Sequence, residues 1–132
     1  MTAENAEFVR RFFEDVTEGN VEALLARLTP EFEMVVPRAG MGVEPQTYRG
    51  PEGFRRWFHS FSEIMEIRVE SHDFIAVGDR VVAPHTLHAR GLETGINTEQ
   101  YTVHVWHLHD GKAERLDVFA TLDEALEAAG RP

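Results

Sequence analysis

Residues 100–112 read QYTVHVWHLHDGK. Thr102, His104, Trp106 and Leu108 alternate here with Val103, Val105, His107 and His109. A strand sends successive side chains to opposite faces, so the stretch predicts a β-strand whose three histidines split one against two. Asp110-Gly111 follows, a dipeptide suited to a two-residue hairpin turn. Another strand is expected beyond it, from about Ala113 to Ala120. Upstream, EIRVESHDFIAV at 66–77 and RVVAPHTLHAR at 80–90 show the same period of two, with turns at Gly78-Asp79 and 91–97. Within 80–90, His85, Leu87 and Ala89 share one face, and Thr86 and His88 the other.

Before these strands the period is helical. Phe8, Phe12, Phe13 and Val16 form one apolar stripe, ended by Gly19-Asn20. Asn20 suits the cap of a second helix carrying Val21, Leu24, Leu25 and Leu28, which Thr29-Pro30 stops. EFEMVV at 31–36 predicts a short strand, and the Gly- and Pro-rich residues 37–50 a loop. Pro51 opens a third helix with Phe54, Trp57, Phe58 and Phe61 on its core face. Thr121 and Glu124 fit a capping box for a short last helix, with Gly130 as its stop. Helices followed by a run of antiparallel strands define the α+β class. A curved sheet wrapped over the helices buries both kinds of stripe and leaves a cavity at one end.

The 132 residues suit a single domain, 1–132, and an apolar share of 42% predicts a packed core. A formal charge of −10 argues against nucleic acid and anionic membranes as partners. The chain has no cysteine, which excludes disulfides and thiolate chemistry. MTAENAEFVRRFFEDV lacks a signal peptide's apolar segment, and no apolar run reaches membrane-spanning length, so a cytoplasmic protein is the expectation.

The histidines allow three readings. His107-x-His109 followed by Glu114 has the spacing of half a cupin metal motif. Cupins are all-β, however, and nothing later in the chain supplies the other half, so no metal is expected. His104 lies between Thr102 and Trp106 on the face expected to point inward, where a neutral imidazole can donate or accept a proton. His85 can reach the same cavity from the neighbouring strand. The third reading is a core histidine bonded to a carbonyl or to Tyr48. Val103, Val105 and Phe119 on the outer face point to a homodimer packed through that face.

The order helix, helix, strand, loop, helix and four strands resembles the nuclear transport factor two superfamily. EGNVEALLARLTPEFEM, YRGPEGFRRWF, GDRVVA, VHVWHLHDGKAERLDVFA and DEALEAAG carry the likeness over nearly the whole chain. Within that superfamily the sequence is similar to SnoaL-like proteins, relatives of ketosteroid isomerase and limonene epoxide hydrolase. The resemblance implies a cone-shaped α+β barrel of order ααβαββββ with a short C-terminal helix and a hydrophobic pocket, often in a homodimer. The isomerase's oxyanion tyrosine corresponds to Phe12, its basic aspartate to Val36 before Pro37, and its protonated aspartate to His104. The hydrolase's last aspartate falls near Val118, and its Arg-x-Asp pair falls in a strand without an acid. Asp117 and Arg115 have the wrong parity to replace them. Neither mechanism carries over intact.

SnoaL-type cyclases need a shaped apolar cavity, a proton-transfer group and an oxyanion donor. The resemblance therefore implies a small cyclic or polyketide-like ligand and cofactor-free isomerase, cyclase or lyase chemistry. His104 and His85 are the candidate catalytic residues. Arg38 and Tyr48 flank the cavity mouth, Thr102 adjoins the histidines, and Phe12, Val36, Phe58, Leu87, Trp106 and Val118 are the expected walls. A non-catalytic ligand-binding or dimerising module is the alternative.

Overall fold

The computed structural model describes residues 2–36 and 46–130. Helix α1, Thr2–Glu18, lays its phenylalanine stripe on the sheet and ends at Gly19, whose φ is +71°. Asn20 caps α2, Val21–Ala26, by accepting from the Ala23 N–H at 3.3 Å. The helix stops two residues earlier than its apolar stripe suggests. Leu28 opens strand β1, Leu28–Val36, and still points into the core. The reason lies next door: the Ala113 N–H donates to the Arg27 carbonyl at 2.8 Å and draws this segment into the sheet. Pro30, which has no N–H to offer, sits where the register of β1 shifts between Leu28 and Glu33.

Residues 46–49, expected in a loop, form strand β2, Gln46–Arg49, antiparallel to Glu33–Val36. Helix α3, Gly50–Ser62, starts with Pro51 in its first turn. Its Gly53 is needed for close approach, because a Cβ there would meet the Tyr48 backbone at 3.1 Å. The predicted strand 66–77 is two strands, β3, Met65–Ser71, and β4, Ile75–Val77. The break at residues 72–74 faces Pro84, which cannot donate to a ladder. The His72 N–H instead bonds the Pro84 carbonyl at 3.0 Å, and Phe74 turns towards Phe13. Strands β5, Arg80–Gly91, β6, Asn97–His109, and β7, Lys112–Phe119, and helix α4, Leu122–Ala128, match their expected places within a few residues. Asp110 and Gly111 both have positive φ, as the two-residue hairpin requires.

The sheet order is β2-β1-β7-β6-β5-β3, with β4 also on β5. All pairings are antiparallel except β1 with β7. One sheet face holds the main core, in which Phe12, Phe32, Phe54, Trp106 and Leu116 are sealed between the sheet and α1–α3. The opposite face is covered in part by α4. Val103 and Val105, two of the three residues from which a dimer was expected, are buried under Ala125 and Ala129 of the same chain, and the third, Phe119, packs partly buried against the same cluster. The cover that the sequence reading assigned to a second copy is therefore supplied by α4, and this pair gives no argument for a dimer. Among the described residues no helix is long and apolar enough to cross a membrane.

Phe54→Ala, which empties a sealed ring site between α1 and α3, is expected to cost about 3–5 kcal/mol in a urea unfolding curve. Thr121→Ala removes the hydroxyl that accepts from the Glu124 N–H at 3.2 Å and should cost about 1 kcal/mol by the same measurement.

Candidate active site

The inner face of β6 presents Thr102, His104, Trp106 and Leu108, as the alternation predicts. β5 places Ala83 opposite His104 and His85 opposite Thr102. The two imidazoles consequently meet, with ring centroids 4.3 Å apart and planes at 68°. His85 is completely buried and has both nitrogens engaged. Nδ1 is 2.9 Å from the Ala83 carbonyl, which can only accept, so Nδ1 carries the proton. In the neutral ring Nε2 is then bare and accepts from the Thr102 hydroxyl at 2.7 Å. Burial, helped by repulsion from His72 and opposed by the Ala83 bond, brings the His85 pKa down from 6.5 to about 4.

His104 differs in one respect. Its Nδ1 is buried and has no hydrogen-bond partner, although the residue as a whole keeps some accessible surface. Burial first, and the neighbouring His85 second, hold its pKa well below 6.5, so the ring is neutral at pH 7. Trp106, 5.6 Å away, has an unpartnered buried Nε1 as well. An unmet buried polar atom costs about 1–3 kcal/mol. A ligand atom that bonded His104 Nδ1 would recover part of that cost.

Of the wall residues expected from the sequence, Trp106 touches His104 directly and the others lie elsewhere in the core or on the neighbouring strands. Phe12 meets Trp106 edge to face at 4.6 Å and Phe54 edge to face at 5.8 Å. Val118 lies opposite His104 on β7, and Val36 and Phe58 belong to the same core cluster. Tyr48 is half-buried beside Trp57. Leu87 lies one inner-face position beyond His85, paired with Val69 and Gln100. Arg38, and with it residues 37–45 of the expected loop 37–50, lies outside the described residues. Phe13 was read only as a core residue, yet its ring centroid is 4.8 Å from that of His85 and 5.6 Å from that of His104. The helical stripe announced its burial. Its partners depend on where α1 crosses the sheet, which no local pattern gives.

His88, His107 and His109 are on the outer face of the sheet. His107 Nε2–H donates to Asp117 at 3.0 Å, and Arg115 holds the same carboxylate at 2.9 Å. Burial alone would raise the Asp117 pKa, but the bonds from His107 and Arg115 outweigh it and hold the group below its usual range. Its pairing also confirms that Asp117 and Arg115 face away from the core. His88 lies between Glu70 and Glu99, and His109 is exposed beside Asp110. Among the described residues no group of three or more His, Asp or Glu side chains could hold a metal ion. Described residues line surface depressions of which two stand out. One, of ≈ 670 Å³, lies among Glu4, Phe8, Asp79, Leu108 and Asp110, and the other, of ≈ 360 Å³, lies between α1 and β3. His104 lines neither; the larger is lined by His109 beside the carboxylates of Glu4, Asp79 and Asp110.

This curved α+β architecture is that of the nuclear transport factor two-like proteins. The SnoaL-like domain family matches residues 9–116, and the chain belongs to that family. Among solved structures, TerC co-crystallised with polyporic acid is 26% identical, covers 96% of this chain and 98% of its own, and superposes with a TM-score of 0.76. The epoxide hydrolase/cyclase-like enzyme SalBIII, described in pyran ring formation in polyether salinomycin, is 21% identical over 92% of this chain and 93% of its own, with a TM-score of 0.77. A Mycobacterium tuberculosis protein in complex with estradiol-17beta-hemisuccinate is 14% identical over 91% and 95%, with a TM-score of 0.78. No protein of curated function matches the sequence.

The neutral burial of His85 has a thermodynamic consequence. Between 6.5 and about 4 the unfolded chain takes up a proton on this residue and the folded chain does not. Its contribution is therefore complete above 6.5 and is lost as the pH falls towards 4, by about 3 kcal/mol at most. Unfolding curves collected across this window should show stability falling with pH, and His85→Gln should make the slope shallower. An unchanged slope would show that His85 titrates alike in both states.

Proposed function

We propose that the chain binds a small hydrophobic, cyclic or polyketide-like molecule between the concave sheet face and helices α1 and α3, with His104 as its polar contact and proton-transfer group. The observation that carries this reading is the unpartnered Nδ1 of His104, set among Phe13, Trp106 and Val118. An apolar wall with two unspent polar atoms, His104 Nδ1 and Trp106 Nε1, suits a ligand that is itself mostly apolar and carries an oxygen. The ligands of the structural relatives support the choice of class: polyporic acid in TerC and a steroid ester in the mycobacterial protein.

A neutral imidazole offers one N–H and one lone pair. The N–H can polarise a ligand carbonyl, and the lone pair can receive a proton as an enol or enolate forms. The chemistry that fits is cofactor-free isomerisation, ring closure or elimination next to a carbonyl. The second reading is a ligand carrier without turnover. It is favoured by the low basicity of His104, and by the lack, among the described residues, of a carboxylate hydrogen-bonded to either inner imidazole.

Calorimetric titration with cyclic ketones and hydroxyquinones tests the binding. His104→Gln should weaken the best ligand about tenfold, the worth of one buried hydrogen bond. If a substrate is found, His104→Ala should lower turnover by roughly 10²–10⁴-fold. Affinity untouched by both substitutions would remove His104 from the site. Weakened binding without detectable turnover in the wild type would select the carrier.

A further inference from the structure

The depression between α1 and β3 is lined by Arg10, Phe13, Glu14, Thr17, Arg68, Val69 and Ser71, among others. Phe13 is the one aromatic residue among them. Its side chain is almost fully buried, because the same ring packs on His85 and His104 and lies 6.4 Å from Phe74. One residue thus borders both the external groove and the inner imidazole pair. The bond from the Val69 N–H to Thr17 Oγ1, at 3.1 Å, pins α1 against the edge strand beside it.

We infer that Phe13 is the seal between this groove and the histidine pair, and so the positioning residue that keeps water away from His85 and from one face of His104. The inference rests on the proposed role of His104, but its physical content can be read without any ligand. With the ring in place, His85 faces Ala83 on its own strand, Thr102 on β6, and Phe13 on α1. His104 on β6 is the titratable ring in contact with it, and His72, beyond the end of β3, acts on it electrostatically, with His72 Nε2 2.7 Å from Thr86 Oγ1. Arg10, Glu14, Glu18 and Arg68 stand on the far side of Phe13, around the groove. Removing the ring would let water, and with it these charges' screened field, reach the imidazoles.

The test is NMR titration of the histidine ring protons in the wild type, Phe13→Leu, Phe13→Val and Phe13→Ala. In the wild type His85 should titrate near about 4. Phe13→Leu, which keeps bulk, should leave that midpoint in place, whereas Phe13→Ala should move it back towards 6.5, with His104 rising in parallel and His109 unchanged. If Phe13→Ala does not fold, Phe13→Val gives the same reading with a smaller opening. A folded Phe13→Ala or Phe13→Val protein whose His85 and His104 midpoints stay at wild-type values would overturn the inference. Loss of ligand binding in His104→Gln, or its retention, bears only on the proposed function, because the Phe13 titrations are done without ligand.

Discussion

Eleven consecutive residue pairs, from Arg80 with His107 to Arg90 with Asn97, lock β5 against β6. Everything chemical on the concave face depends on this register. It sets Ala83 beside His104 and His85 beside Thr102, and so creates both the imidazole contact and the hydroxyl bond that completes His85. A slip of one residue would exchange the two faces. His104 would then turn outward, and His107, now bound to Asp117, would enter a core with no carboxylate to meet it. The apolar cost of that exchange, with Trp106 and Val105 both displaced from buried sites, holds the register in place.

The two inner histidines illustrate how one environment can give two roles. Both rings are neutral because both are buried. His85 has spent its donor on a carbonyl and its lone pair on a hydroxyl, which fixes its tautomer and leaves it nothing for a ligand. His104 has spent nothing on Nδ1. Burying an unmet polar atom is unfavourable, and folds that retain one commonly do so at a functional position. Three further residues give this position its character: Trp106 and Phe13 fix the ring by contact, and Val118 flanks it from the next strand.

Much of this was legible in the chain. Period-two alternation placed each histidine of β5 and β6 on its correct face, because neighbouring residues on a strand have no freedom to do otherwise. Asp110-Gly111, Asn20, Pro51 and Thr121 marked their turns and caps through local backbone chemistry. What the sequence hid was long-range. The parallel contact of β1 with β7 joins the two ends of the domain, and it pulled Leu28 out of the expected helix. The break at residues 72–74 came from Pro84 on the partner strand. The apolar outer row of Val103 and Val105 revealed the need for a cover, and could not say that α4 would be the cover. At the site, the identity of His104 followed from parity and family resemblance, whereas the bond network of His85 and the contact of Phe13 required the folded coordinates.

The concave face holds two neutral imidazoles, and of the two only His104 has a buried ring nitrogen without a hydrogen-bond partner. Nitrogen-15 NMR of the histidine side chains at pH 7, with and without a bound cyclic ketone or hydroxyquinone, tests this assignment most directly. A neutral His85 protonated on Nδ1 should stay unchanged on binding, and the Nδ1 resonance of a neutral His104 should move when the ligand is added. A His104 already protonated in the free protein, or a ligand that shifts His85 while leaving His104 untouched, would contradict it.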